Sequence, residues 1–220
     1  MAIMIQLLEE FAMMLHNNEK EDDRKYKFAP DFTVASCYSS LEVDGFLAFP
    51  HKQIWNPKIP LKVSFLAWTL FHDGAPSLEF LQRVGKVNSS TCLLCNTEQE
   101  TQSHLFLHCS ETRKVWHYFL DSFGVKWVFS ENVKSNLWEW KAKKNRSMIK
   151  KIWSILPFAI WWTIWRERNY RVFNNKRRYL GQLIVTVKYT QFNWSLHTKI
   201  FEGYSLSTLI CNWEAVIGNN

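Results

Sequence analysis

The chain has 220 residues, a formal net charge of +7 and a sequence pI of about 9.1. Hydrophobic residues make up 47% of it and include 12 Trp, while only 7 Gly and 6 Pro are present. This composition excludes a linker or a disordered chain, and the length suits one or two globular domains with a large core.

The first fifty residues begin with a helical pattern and continue with a charged stretch. Apolar residues recur at helical spacing over residues 3–16. Residues 19–25 are a run of charges, which predicts a solvated connector, and residues 32–38 have the composition of an extended segment. The amino terminus lacks a basic start and meets two acids early, so we do not expect a secretory signal.

Three helices are predicted between residues 61 and 119. The stretch 61–71 shows helical spacing and is expected to be a buried helix. Its apolar positions are Leu61, Phe65, Trp68 and Leu70. Ser77 is a candidate N-cap for a short helix that ends near Gly85, and Ser110 is a candidate N-cap for a helix over 111–119.

The remainder of the chain is rich in tryptophan and in basic residues. Residues 152–165 carry no charge, but they are fewer than the ~20 residues that a membrane span needs. A buried helix is therefore expected here, with Pro157 at a kink or at its entrance. Residues 180–194 favour a strand by propensity and a helix by spacing, and we favour a helix.

The most specific motif of the chain is C-x2-C-x8-H-x4-C. Its members are Cys92, Cys95, His104 and Cys109. Three thiolates and one imidazole are the donors of a tetrahedral structural zinc site, in which no position remains for a reactive water. We therefore predict one structural Zn²⁺, which would stabilise a polar segment that could hardly fold alone.

His108 lies beside Cys109 and leaves a second ligand set open. A pair formed by His104 and His108 would suit a two-Cys two-His finger, although the eight residues after Cys95 are fewer than the ~12 usual there. We favour Cys109 as the fourth ligand. The other cysteines, Cys37 and Cys211, are isolated and are expected to be small buried hydrophobes.

Further motifs surround these ligands. They are Trp55-x-Pro57-Lys58-Ile59-Pro60-x-Lys62-Val63-x-Phe65-x-x-Trp68, Cys92-x-x-Cys95, Glu100-Thr101, His104-Leu105-Phe106-x-x-Cys109 and Val115-Trp116. Together they resemble the zinc-binding region that follows the polymerase in plant non-LTR retrotransposons, over residues 28–175. The resemblance implies a reverse transcriptase zinc-binding domain detached from its polymerase, with His104 and Cys109 as ligands.

Catalytic chemistry is not expected. The Tyr-x-Asp-Asp step of such polymerases is absent, and Asp22-Asp23 lies in a charge run. A phosphate-cradling Gly loop and a His-Glu-x-x-His motif are also absent, and the clustered cysteines are better explained as zinc ligands. We therefore assign no catalytic residue and expect no small-molecule substrate.

The uneven charge favours RNA or DNA as a partner. Residues 111–180 contain 16 Lys or Arg and five acids. These basic side chains would contact phosphates, and Trp138 and Trp140 would stack on unpaired bases if they lie outside the core. The candidate contacts are Lys141, Lys143, Lys144, Arg146, Arg166, Arg168, Arg171, Arg177 and Arg178. The alternatives are a zinc-ordered protein–protein interaction domain and a non-functional retroelement remnant.

The expected fold is mainly α, with few or no strands. A small zinc-stabilised helical domain at 28–124, with its core at 55–120, follows an N-terminal helix and charged connector at 1–27. A basic, Trp-rich helical region at 125–220 completes the chain. An odd number of cysteines disfavours a set of disulfides, so we expect a reducing compartment, nucleus or cytoplasm, and no membrane association.

Overall fold

The computed structural model describes residues 49–140, 147–196, 198 and 200–218. The elements in these ranges are helices, apart from an isolated antiparallel bridge between Thr91 and Gln99. The expected mainly α fold with few or no strands is confirmed. The helix predicted at 3–16, the connector at 19–25 and the extended segment at 32–38 lie outside the described residues.

The helices follow one another with short connections. In chain order they are α1 (His51–Ile54), α2 (Leu61–Phe71), α3 (Leu78–Arg83), a π-helix (His104–His108), α4 (Ser110–Ser122), α5 (Val133–Glu139), α6 (Ser147–Asn174), α7 (Leu180–Ser195), α8 (Leu206–Cys211) and α9 (Trp213–Gly218). Helix α6 packs against α2, α4, α7 and the π-helix, so it is the element around which the core is built. None of the described helices is long and apolar enough to cross a membrane.

Side-chain capping explains where α3 begins but not where α4 begins. Ser77 caps α3 as predicted, because its Oγ accepts the Phe80 N–H at 3.3 Å, and Gly85 follows the helix with φ of +72°. Ser110 is not a cap. It is the first residue of α4, and Cys109 occupies the N-cap position. The predicted start of α4 is therefore wrong by one residue.

Helix α2 has the predicted bounds but buries a different face. The side chains that enter the core are those of Val63, Ser64, Ala67, Leu70 and Phe71. Leu61, Phe65 and Trp68, which the spacing had assigned to the core, are 65%, 52% and 42% exposed. Helical spacing identifies a stripe of residues, but it does not say which of two apolar stripes faces the core.

Helix α6 contains Pro157, which lacks the N–H that would bond the Trp153 carbonyl one turn earlier. The indole N–H of Trp140 donates to that carbonyl at 3.0 Å and replaces the missing helical bond. The two indoles also stack, with centroids 4.2 Å apart and an interplanar angle of 9°. Pro157 is thus accommodated inside a 28-residue helix by a side chain from the preceding segment.

Trp140 belongs to a cluster of aromatic rings in the core. Its ring lies 5.5 Å from that of Trp116 and 4.8 Å from that of Trp127, and it is 4% exposed. Stacking of Trp140 on a nucleic-acid base, considered from the sequence, is therefore inconsistent with the structure. Trp138 is half-buried and lies edge-on to Phe71.

Replacement of Trp140 tests its role at Pro157. Trp140→Phe keeps a ring but leaves the Trp153 carbonyl without its donor, so we expect a loss of about 1–3 kcal/mol in the free energy of unfolding. Trp140→Ala should lose about 3–5 kcal/mol. Urea unfolding of the metal-loaded protein measures both, with Trp138→Phe as the matched control. Equal losses for Trp140→Phe and Trp138→Phe would contradict the assigned role.

Candidate metal centre

The first two cysteines of the motif lie on a tight reverse turn. The Cys92 N–H donates to the Glu98 carbonyl at 2.8 Å, and the Asn96 N–H donates to the Cys92 carbonyl at 2.8 Å. Asn96 has φ of +58°, a conformation that Asn adopts more readily than most residues. This turn brings the sulfurs of Cys92 and Cys95 to the same side of the backbone.

The other two donors are brought together by the π-helix. The Cys109 N–H donates to the His104 carbonyl at 2.6 Å, an i→i+5 bond, and the Thr101 hydroxyl accepts the His104 N–H at 3.0 Å where the π-helix begins. In an α-helix, residues five apart lie on different faces, whereas the wider π-turn brings them closer to one side. The spacing H-x4-C thus depends on a rare local conformation that often occurs at functional sites.

The four donor atoms converge on one point. All of them lie within 4.8 Å of one another. The sulfurs of Cys92 and Cys109 are 3.9 Å apart, and the Cys95 sulfur is 3.4 Å from Nε2 of His104. Zn–S and Zn–N bonds of about 2.3 and 2.0 Å in a tetrahedron give edges of about 3.8 and 3.5 Å, so the cluster has the size of such a site.

The distances also exclude a disulfide in this cluster. An S–S bond would need about 2.05 Å, and Cys92, Cys95 and Cys109 are free thiols.

His108 lies outside the donor group, and its Nε2 is instead hydrogen-bonded to the Glu131 carbonyl at 3.0 Å. The structure therefore places Cys109 rather than His108 in the donor set. Cys211 is exposed, contrary to the expectation that it is buried.

The donors strongly influence one another's protonation. The hydrogen bond with Cys92 lowers the pKa of Cys109 against the opposing effect of burial, and the same bond raises the pKa of Cys92. The hydrogen bond with Cys109 raises the pKa of His104 to about 9. Two buried thiols 3.9 Å apart whose pKa values are shifted in opposite directions by their contact form a pair in which a bound cation could replace the proton.

Backbone amides further favour the thiolate forms. Burial by itself raises the pKa of Cys95, but the Thr97 hydroxyl and the amides of Glu98 and Thr97 lower it overall. The amides of Thr112 and Glu111, in the first turn of α4, lower the pKa of Cys109. A helix N-terminus stabilises negative charge, so the N-cap position of Cys109 suits a thiolate ligand.

A carboxylate contacts the ring nitrogen of His104 that points away from the sulfurs. Oε2 of Glu98 lies 3.2 Å from Nδ1 of His104, while Nε2 faces the sulfurs. Carboxylates in this position fix the orientation of a metal-binding imidazole and increase its basicity. Glu98 was not identified from the sequence, although its position between the cysteine pair and the histidine is a signal for such a role.

Helix α6 contacts the cysteine turn through Arg171. Its Nη1 donates to the carbonyls of Leu93 and Leu94 at 2.7 and 3.1 Å, and its Nε pairs with the buried Glu167 at 2.8 Å. The two carbonyls belong to the residues between Cys92 and Cys95. Arg171 therefore fixes the ligand turn to the central helix.

A second ion pair joins the metal segment to α6. Arg168 Nε lies 3.0 Å from Oε1 of Glu100, with side chains 5% and 0% exposed. The same carboxylate oxygen accepts the Leu78 N–H at 2.9 Å at the start of α3. Arg168 and Arg171 are thus used inside the fold, and both are removed from the set of phosphate contacts predicted from the sequence.

The other predicted phosphate contacts have different environments. Arg166 and Arg177 are exposed, and Arg178 is half-buried with its Nη1 3.6 Å from Glu167. Lys141, Lys143, Lys144 and Arg146 lie outside the described residues.

Comparison with known proteins agrees with this geometry. Residues 32–116 match a family model described as zinc-binding in reverse transcriptase, and all four donors lie inside the matched range. Over these residues the chain is similar to the zinc-binding region of reverse transcriptases. No curated protein and no solved structure matches the chain.

Loss of the metal should unfold the segment around it. Cys92→Ser, or chelation of the wild type, should abolish binding of one equivalent of Zn²⁺ and expose residues 86–99 to proteases, because most residues of this polar segment lie outside the core. Native mass spectrometry, circular dichroism and limited proteolysis measure these effects. Cys211→Ser and His108→Ala are the controls and should keep the metal. Unchanged spectra and cleavage after metal removal would exclude a structural site.

Removal of the Glu98 charge should weaken metal binding without destroying the site. Outer carboxylates typically contribute 10–100-fold to metal affinity, and because Glu98 is 65% exposed we expect Glu98→Gln to lose about 10-fold. Competition with a chromophoric chelator measures the Zn²⁺ dissociation constant. Glu131→Gln, an exposed carboxylate outside the donor group, is the control, and equal constants for the two variants would refute the role of Glu98.

Proposed function

We propose that the chain is a non-catalytic, zinc-stabilised module, derived from a retrotransposon reverse transcriptase, that binds RNA or DNA. The observation that carries the proposal is the closed group of three sulfurs and one imidazole within the stretch that matches the zinc-binding model of reverse transcriptases. Zn²⁺ fits this donor set better than harder cations, which prefer oxygen ligands.

The donor set supports a structural role for the metal. A catalytic zinc keeps three protein ligands and an open position for water, whereas here four protein donors face one centre. Cys92 and Cys109 are fully buried, so a substrate has no direct path to their sulfurs. Bound Zn²⁺ would supply folding free energy to the segment 90–109 and no reaction step.

The distribution of charge supports a polyanionic partner. The basic excess over residues 111–180 is only partly used in internal ion pairs, and the exposed Arg166 and Arg177 remain available. Lys141, Lys143, Lys144 and Arg146 add four positive charges to the sequence just before α6. Free thiols at the ligand positions suit reducing conditions, as in the nucleus or cytoplasm.

Salt dependence tests the proposal. The affinity for an oligonucleotide should fall with salt, because each phosphate contact releases a counterion. The double variant Arg166→Gln and Arg177→Gln should reduce the slope of log K against log salt by about 1.4 for a single strand. Filter binding with the metal-loaded protein measures the slope, and Lys86→Gln, at an exposed lysine outside residues 111–180, is the control.

The two alternative functions give different results in the same assay. An affinity that does not change with salt, or no measurable binding, would overturn the nucleic-acid proposal. Copurification of a defined protein partner would then favour a zinc-ordered protein-interaction domain, and the absence of any partner would favour a non-functional remnant.

A further inference from the structure

Helix α2 and the turn before it present an unusual concentration of apolar side chains to solvent. We define the α2 face by Trp55, Leu61, Phe65 and Trp68, which are 40%, 65%, 52% and 42% exposed. The three helical members are spaced i, i+4 and i+7, so they lie along one side of α2. Single exposed apolar residues are common, but a grouped set of this kind marks an interaction surface.

The aromatic rings of the α2 face are held in a fixed arrangement. The rings of Trp55 and Phe65 meet edge to face with centroids 5.4 Å apart. Trp55 follows α1, and a turn in which the Ile59 N–H donates to the Asn56 carbonyl at 2.9 Å leads back to α2. Ile59 is buried and fixes this turn to the core. These contacts therefore hold the rings of Trp55 and Phe65 in place in the absence of a partner.

The charged residues of α2 and of the segment before it are lysines, and the next acid, Asp73, accepts a hydrogen bond from the Gln102 side chain. Residues 50–72 contain Lys52, Lys58 and Lys62 and no Asp or Glu. Burial, and then the positive charge of Lys151, lower the pKa of Lys58, so α6 contributes a further lysine close by. The Nζ of Lys62 lies 5.3 Å from the centroid of the ring of Trp162, which also belongs to α6. The lysines accumulate charge that a polyanion would neutralise.

We propose that the α2 face is a binding platform for single-stranded nucleic acid. Unpaired bases would stack on Trp55, Phe65 and Trp68, and the lysines would contact the adjoining phosphates. This inference rests on the proposed function and assigns base stacking to α2 and the turn before it, whose aromatic residues lie outside the basic stretch of residues 141–178.

The chemistry of the α2 face selects a single strand over a duplex. A duplex covers the faces of its bases, so exposed indole and phenyl rings would gain nothing from it beyond charge. An apolar protein partner would cover the rings equally well, but it would leave the lysines unpaired. Aromatic rings interleaved with cations are the combination that single-strand binding surfaces use.

Binding of a fluorescein-labelled oligouridylate of about 20 nucleotides, measured by anisotropy with the full metal-loaded chain, tests the platform. This length exceeds the ~4–16 nucleotides that a comparable stacking surface covers. Trp55→Ala and Phe65→Ala should each weaken binding by about 5-fold or more without changing the salt slope. Lys62→Gln should reduce the slope by about 0.7.

Controls separate a local effect from loss of the fold. Tyr189→Ala removes an equally exposed ring (51%) from α7 and should bind like the wild type. Phe65→Tyr keeps a stacking ring and should restore most of the affinity. Zinc content and circular dichroism of every variant should match the wild type, because these side chains lie outside the core and the metal cluster.

The outcomes distinguish this inference from the proposed function. Salt-dependent binding that is unaffected by Trp55→Ala and Phe65→Ala, or a preference for a duplex of the same length, overturns the platform and leaves the proposed function standing. No binding by the wild type overturns both. Loss of a copurifying protein from the Trp55→Ala variant, with RNA affinity unchanged, would assign the α2 face to a protein partner instead.

Discussion

The convergence of four donors from two short segments is the constraint on which the metal region depends. The Cys92 and Cys109 sulfurs are 17 residues apart in sequence and 3.9 Å apart in space, in surroundings that bury both. Thiolates at this distance repel one another unless a cation lies between them. The π-helix packs into the core through Leu105, Phe106 and Leu107, whereas residues 96–99 of the cysteine turn are exposed, so we expect the bound ion to supply much of the energy that maintains this turn.

Buried ion pairs connect the metal segment to the neighbouring helices. Glu100 interacts with Arg168 of α6 and with the first turn of α3, while Arg171 of α6 binds the carbonyls between the first two cysteines. Buried pairs of this kind contribute little net stability, but breaking one leaves an unpaired charge that costs about 3–5 kcal/mol. Their main effect here is to allow only one position of the metal segment against α6.

Some of these features follow from the sequence and others do not. Capping by Ser77 and the helical spacing over 180–194 depend on neighbouring residues, which explains why α3 and α7 could be predicted. The spacing and the family resemblance favour Cys109 over His108, but no local propensity indicates the π-turn that brings Cys109 close to His104. The burial of Arg168 could not be predicted, because its partner Glu100 lies 68 residues away. The role of Trp140 as a donor could not be predicted either, because it depends on the helical hydrogen bond that Pro157 cannot make in α6.

The apolar side of α2 that the helical spacing assigned to the core is exposed, and this exposure bears on binding. A helix that carries apolar residues on two sides must bury both in a core or use one for binding, and α2 buries the side of Val63 and Leu70. The Gln102 side chain donates to the Leu70 carbonyl at 2.6 Å and accepts the Ala75 N–H at 3.3 Å, two residues before the ligand His104. The metal segment therefore holds the C-terminal end of α2. Because these bonds and the metal ligand share one short segment, we expect loss of the metal to loosen the C-terminal end of α2, where Trp68 lies.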